Sequence, residues 1–243
     1  MSTPSSRRRL RSIALLVGVL SSASLTFAGS AGAHPAAAPR LVAATQDLVS
    51  LTAPQQAHSR PSAHAGALGV VPARTPITGE RSELPVLGTY GDWLLVRLPG
   101  RPNGHTGWIR RAGTRSAVTA WHLVIDTTTR RVTVYHAGRV VRVIKVVVGK
   151  AATPTPTGDY FVEESIALGH AAIGAPFALA LSARSNVFQE FEGGPGQIAM
   201  HGLQNVGGVP GTAVSHGCVR LPTSAIRWLA GRIGPGVPVT ITG

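Results

Sequence analysis

Glycine and proline break this chain again and again, and between the breaks lie short runs rich in Val, Ile and Thr. With 29 Gly and 18 Pro in 243 residues, long helices are excluded, because each interior Gly costs a helix about 1 kcal/mol and each Pro about 3. β-Branched runs bounded by turn residues predict strands instead. Leu94, Val96 and Leu98 alternate with Trp93, Leu95 and Arg97. The loop Pro99 to Gly107 then leads to Trp108-Ile109, which predicts a hairpin within a small barrel. Further strands are expected at His122 to Asp126, Val132 to Tyr135, Val140 to Val148, Phe177 to Leu181, Gln197 to Met200 and Val237 to Ile241. One helix stands out, Thr223 to about Arg232. There Ile226, Leu229, Ala230 and Ile233 recur at helical spacing, and Gly234-Pro235-Gly236 stops the run. The expected fold is mostly β, in two modules of unequal size. The smaller spans 67–116, and the larger spans 119–243 with one main helix.

The chain ahead of these modules is of another kind. Residues 1–33 read as an export signal: Arg7, Arg8, Arg9 and Arg11, then an apolar stretch from Ile13, then Ala31-Gly32-Ala33 before a cleavage point. Residues 34–66, rich in Ala, Pro, Ser, Gln and His, read as a flexible spacer, with Leu41 to Leu51 a candidate short helix. An exported location, periplasmic or cell-wall-associated, follows. Without the four leader arginines, 19 of 23 basic side chains face 10 acidic ones, a net charge of +9. Such a surface favours an anionic partner. Outside the cytoplasm that partner is the anionic cell envelope rather than nucleic acid.

Cys218 is the only cysteine. It has no intramolecular disulfide partner, although exported proteins meet an oxidising space where cysteines tend to pair. Its neighbours are Ser215-His216-Gly217 before it and Val219-Arg220-Leu221 after it, and a second His-Gly pair, His201-Gly202, lies upstream. A lone thiol with histidines elsewhere is a candidate nucleophile. Thiolate is the attacking form of cysteine, and a nearby histidine can take its proton. His201 and His216 both qualify on the residues alone, and the choice stays open. Gly217 allows a sharp turn and close approach of a substrate, and N–H groups of that turn are candidates for an oxyanion hole. Zinc needs a cluster of deprotonated ligands at suitable spacing. His201, His216 and Cys218 could in principle supply three, but no metal is expected, and no cofactor either. Glu163-Glu164, adjacent on a strand, point to opposite faces and read as a solvated strand end.

His201-Gly202 with Ser215-His216-Gly217-Cys218-Val219-Arg220-Leu221 resembles the signature of the L,D-transpeptidase family (YkuD-like catalytic domain). The runs Thr153-Pro154-Thr155-Pro156-Thr157-Gly158 and Gly193-Gly194-Pro195-Gly196-Gln197-Ile198 resemble it as well. The likeness covers about residues 120 to 243. It implies a β-sandwich or barrel catalytic domain and an acyltransferase acting on peptidoglycan. The cysteine attacks the bond between the third stem residue and a terminal D-alanine, and D-alanine leaves. The side-chain amine of another stem then resolves the thioester, giving a 3→3 cross-link. Donor and acceptor stem peptides would be the partners, and carbapenem β-lactams the inhibitors. Carried over, Cys218 is the nucleophile and His201 the base, and the Gly202 carbonyl orients the imidazole. His216 and Gly217 shape the loop and oxyanion hole. Arg220 and Ser215 are expected at the substrate, Arg220 either holding a carboxylate or bracing the loop.

Leu203 stands where many relatives have Thr, and Thr223 where Asn is common. Residues from about Leu68 to Arg111 resemble a small bacterial SH3-like β-barrel, which would serve wall binding, substrate positioning or packing against the larger module. Two other functions stay compatible with the sequence. One is an L,D-carboxypeptidase with water as acceptor. The other is a non-catalytic wall-binding protein.

Overall fold

The computed structural model describes residues 42–191 and 193–243. The expected export segment and the first part of the expected spacer lie outside the described residues. The first sheet comprises β1 (Gln46–Leu51), β2 (Gln55–His58), β3 (Ala67–Val71), β4 (Glu83–Tyr90), β5 (Trp93–Arg97), β6 (Thr106–Arg110) and β7 (Thr114–Thr119). Their spatial order is β3-β2-β6-β5-β4-β1-β7, and every pairing is antiparallel. The expected hairpin is β5–β6, with Leu94 opposite Ile109. Leu94, Val96, Leu98 and Ile109 sit in one buried cluster with Val49, Leu51 and Leu84.

Residues 46–58, expected as spacer with a short helix near Leu41 to Leu51, are strands instead. β1 lies between β4 and β7 and buries Leu48, Val49 and Leu51. β2 buries Ala57 and Gln55, whose Nε2 donates to the Ala112 carbonyl at 3.0 Å. The stretch has few apolar side chains, but strand pairing puts most of them inside. Local composition carries no sign of such pairing.

The second sheet and its surroundings comprise β8 (Trp121–Asp126), β9 (Arg131–His136), β10 (Arg139–Lys145), β11 (Val148–Gly149), β12 (Gly158–Ala167), β13 (Phe177–Arg184), β14 (Gln197–Gly202), β15 (Ala213–Ser215), β16 (Val219–Leu221), the helix α1 (Thr223–Ala230) and β17 (Pro238–Thr242). Eight of these strands form one sheet in the order β10-β9-β8-β17-β12-β13-β14-β16, while β11 and β15 pair separately in parallel. The valine run from Val140, expected as one strand, divides. β10 ends at Lys145, and Val147 then pairs with Arg220. The helix buries Ala225, Ile226 and Leu229 against the core of this sheet, beside Leu179, Met200 and Val219.

β12 serves both cores. Tyr160 and Val162 point into the cluster of the eight-stranded sheet, and Phe161, between them, points into the cluster of the first sheet. Strand alternation explains the division. Burial corrects the reading of Glu163 and Glu164 as a solvated strand end, since neither is solvated. The Arg184 guanidinium meets Glu163 at 3.0 Å, and the Gln197 amide donates to it at 2.9 Å. Burial raises the Glu163 pKa, and Arg184 opposes that shift. On the other face, Glu164 is 1% exposed and accepts bonds from the first sheet. Both faces of the strand end are covered, a tertiary fact that the two-residue alternation could not carry.

Candidate active site

β14 and β16 run parallel, with Met200 opposite Val219 and His201 opposite Arg220. Ile198, Met200, Val219 and Leu221 fill the core. The alternating positions Gln197, His201, Cys218 and Arg220 therefore share the other face, where all four line one groove of about 680 Å³. Burying one face of two parallel strands is what brings the thiol and the imidazole together.

The turn before Cys218 is held by hydroxyls. Ser215 Oγ donates to the Cys218 carbonyl at 2.6 Å and accepts the Gly217 N–H at 3.1 Å. Thr155 Oγ1 donates to the Gly217 carbonyl at 2.8 Å and accepts the Gly149 N–H at 2.9 Å. Thr153 Oγ1 and the Lys150 N–H both reach the Ser215 carbonyl, at 3.1 and 3.0 Å. Gly217 has φ +124°, a conformation L side chains rarely adopt, and a Cβ there would come within 3.0 Å of Ile198 Cδ1. Ser215, expected at the substrate, is fully buried beneath the turn. The Gly217 N–H, a candidate oxyanion donor, is committed to Ser215. Both residues shape the turn from below.

The imidazole of His201 is mounted differently. Its Nδ1 lies 2.8 Å from the Gly202 carbonyl. A carbonyl only accepts, so Nδ1 carries the proton, and Nε2 of the neutral ring keeps the lone pair. Burial pushes the His201 pKa below the ordinary 6.5; the Gly202 bond opposes this and the Arg220 charge adds to it. The ring is thus biased toward its neutral, proton-accepting form. Gly174 packs directly over it, so that a Cβ there would collide with Nδ1. The loop carrying Gly174 is tied to the strand end, with the Gly202 N–H donating to the Gly174 carbonyl and the Gly174 N–H to the Gln204 carbonyl, both at 2.8 Å. Asn205 reinforces it through the His170 and Ala172 carbonyls.

His216 is exposed, and its ring lies 6.1 Å from that of Phe188 and 5.9 Å from that of Phe191. It lines the groove as part of an aromatic wall. The Arg220 guanidinium donates through one nitrogen to the Val206 and Gly207 carbonyls, at 3.3 and 3.2 Å. That contact is the loop brace, while the side chain also borders the groove. Sequence reasoning assigned no role to Thr153, Thr155, Gly174 or Asn205. The Thr-Pro repeat was a usable signal for the first two. Gly174 and Asn205 lie in loops with no pattern to read.

No curated protein matches this chain. Among solved structures it is similar to Bd1075 of Bdellovibrio bacteriovorus at 22% identity, covering 51% of this chain and 48% of that one, with a TM-score of 0.40. It therefore spans about half the length of that protein. L,D-transpeptidase 3 of Mycobacterium tuberculosis, in complex with a faropenem-derived adduct, is 16% identical over 62% of this chain and 79% of that one, with a TM-score of 0.43. An L,D-transpeptidase mutant of Enterococcus faecium is 24% identical over 50% of this chain and 49% of that one, with a TM-score of 0.36. The description of the YkuD family, L,D-transpeptidase catalytic domain, matches residues 120–241, from the residue before β8 into β17 and just over half of the chain. The chain belongs to that family.

Proposed function

We propose that this protein is an exported peptidoglycan L,D-transpeptidase that works through a Cys218 acyl-enzyme. The observation that carries the reading is His201. It shares a groove with Cys218, its Nδ1 proton is held by the Gly202 carbonyl, and its Nε2 lone pair is left to act as base. Nε2 takes the Cys218 proton, and the thiolate attacks the carbonyl carbon between the third stem residue and the terminal D-alanine. The imidazolium returns the proton to the departing amine, D-alanine leaves, and a thioester remains. The side-chain amine of a second stem attacks the thioester carbonyl and loses a proton to His201. A 3→3 cross-link forms and the thiol is restored.

In this reading residues 1–33 direct export. The basic mature surface keeps the enzyme against the anionic envelope, and the first sheet acts as an SH3-like module. Carbapenem β-lactams acylate the same thiol. The test is incubation with purified disaccharide-tetrapeptide followed by mass spectrometry. A cross-linked dimer with loss of D-alanine is expected, and Cys218→Ala should yield none. Tripeptide without dimer would replace the amine acceptor by water. Equal D-alanine release by Cys218→Ala would end the covalent mechanism.

A further inference from the structure

Ile77 belongs to the first sheet, in the loop between β3 and β4, yet it lines the groove of His201 and Cys218. Its side chain is 63% exposed, so packing within its own module does not explain an isoleucine there. The loop around it is stiff. The Thr75 N–H donates to the Glu80 carbonyl at 2.9 Å, Thr75 and Thr78 hydroxyls meet at 2.8 Å, and Arg74 donates to the Gly79 carbonyl at 2.7 Å.

The same loop is fastened to the second sheet at one buried atom. Oε2 of Glu164 accepts the Ile77 N–H at 3.2 Å, the Thr78 N–H at 2.8 Å and the Thr78 hydroxyl at 3.1 Å. Hydrogen bonds to a carboxylate are stronger than neutral ones, and three on one oxygen leave the turn little freedom. A second tether works on another part of the rim. Arg101, in the loop between β5 and β6, donates to the Ser185, Phe188 and Pro195 carbonyls at 2.8 to 2.9 Å. That holds the segment leading to Phe191, which also lines the groove.

We propose that Ile77 is a specificity-determining residue that contacts the aliphatic part of the stem peptide, and that Glu164 is the positioning residue that holds it there. This rests on the reading of Cys218 as the nucleophile of a stem-peptide acyltransfer. Ile77, Leu168 and Ile173 give the groove an apolar side. An extended stem offers methyl groups and the methylene chain of its third residue to match it. The first sheet thus completes the substrate groove of the second.

Steady-state turnover of disaccharide-tetrapeptide by the full chain tests this. Ile77→Ser should raise KM about fivefold to tenfold with little change in kcat, the signature of lost uniform binding. The rate of Cys218 alkylation by iodoacetamide and the melting curve should follow the parent protein, because the side chain is exposed. Glu164→Gln should raise KM in the same sense, and should add little when combined with Ile77→Ser, since it acts through Ile77. An unchanged KM in Ile77→Ser, or full additivity of the two variants, would overturn the proposal and leave the transpeptidase reading intact. Failure of the parent protein to turn over the tetrapeptide, with Cys218 still alkylated, would overturn both.

Discussion

Cys218 and His201 face one groove but are held by opposite means. The thiol's turn hangs on three hydroxyl side chains, those of Thr153, Thr155 and Ser215. The imidazole is gripped by backbone: the Gly202 carbonyl at its edge, and Gly174 over its face. A side-chain mounting fails by deletion, because a removed hydroxyl leaves buried polar groups without partners. A backbone mounting fails by addition, because there is no room for another carbon. The two halves of the proposed catalytic pair therefore carry different vulnerabilities.

The largest expected effect removes the proposed base. His201→Gln should slow acylation of Cys218 by a carbapenem on the order of 100-fold or more, the usual scale for a lost general base. The same change at His216 should cost far less, since that ring is exposed and packs on phenylalanines. Stopped-flow acylation checks the ranking, and the reverse order would move the base to His216. Next comes the backbone mounting. Gly174→Ala adds one carbon that must displace the imidazole, at a residue with φ +81°, and acylation should fall by tens-fold or more. A normal rate in this variant would break the contrast between addition and deletion.

The side-chain mounting should yield more gently. Thr155→Val keeps the volume but strands the Gly149 N–H and the Gly217 carbonyl. Stability should drop by about 2 kcal/mol and acylation by roughly tenfold, read by denaturant unfolding and by the same stopped-flow assay. The smallest effect is one of pH. His201 binds its proton less readily in the folded protein than at the ordinary 6.5. The unfolded chain therefore binds more protons between the two values, and this group's contribution makes stability rise with pH across that window. The acid limb of the acylation rate should accordingly lie below 6.5, and Arg220→Gln should move it upward by removing a repulsive charge. A limb that stays put, or moves down, would take Arg220 out of the electrostatics.

The contrast also explains what could be read in advance. The Ser215 to Leu221 run pointed to the thiol because its chemistry is packed into consecutive residues. β14, β16 and α1 were approachable because each buries one face in a regular pattern. A serine beside the thiol reads alike whether it points up into the groove or down into the turn, and Ser215 points down. β1 is illegible because its partners, β4 and β7, lie roughly 35 and 70 residues away in sequence, and β2, though paired with the nearby β3, has a single buried apolar side chain to mark it. The roles of Glu164 and Gly174 were illegible because each is defined by a group from elsewhere in the chain, the loop at Thr78 for Glu164 and the His201 ring for Gly174.

Phe161 gives the two sheets a common fate. Its ring is 1% exposed and sits in the first sheet's core, though its strand belongs to the second. Burial of a phenylalanine is worth about 2 to 3 kcal/mol, so neither sheet can loosen without exposing a neighbour's side chain. A chain beginning at residue 120 would leave that ring bare on its surface and Glu164 without its three donors, an invitation to self-association. The two sheets are therefore expected to melt together, in one transition rather than two.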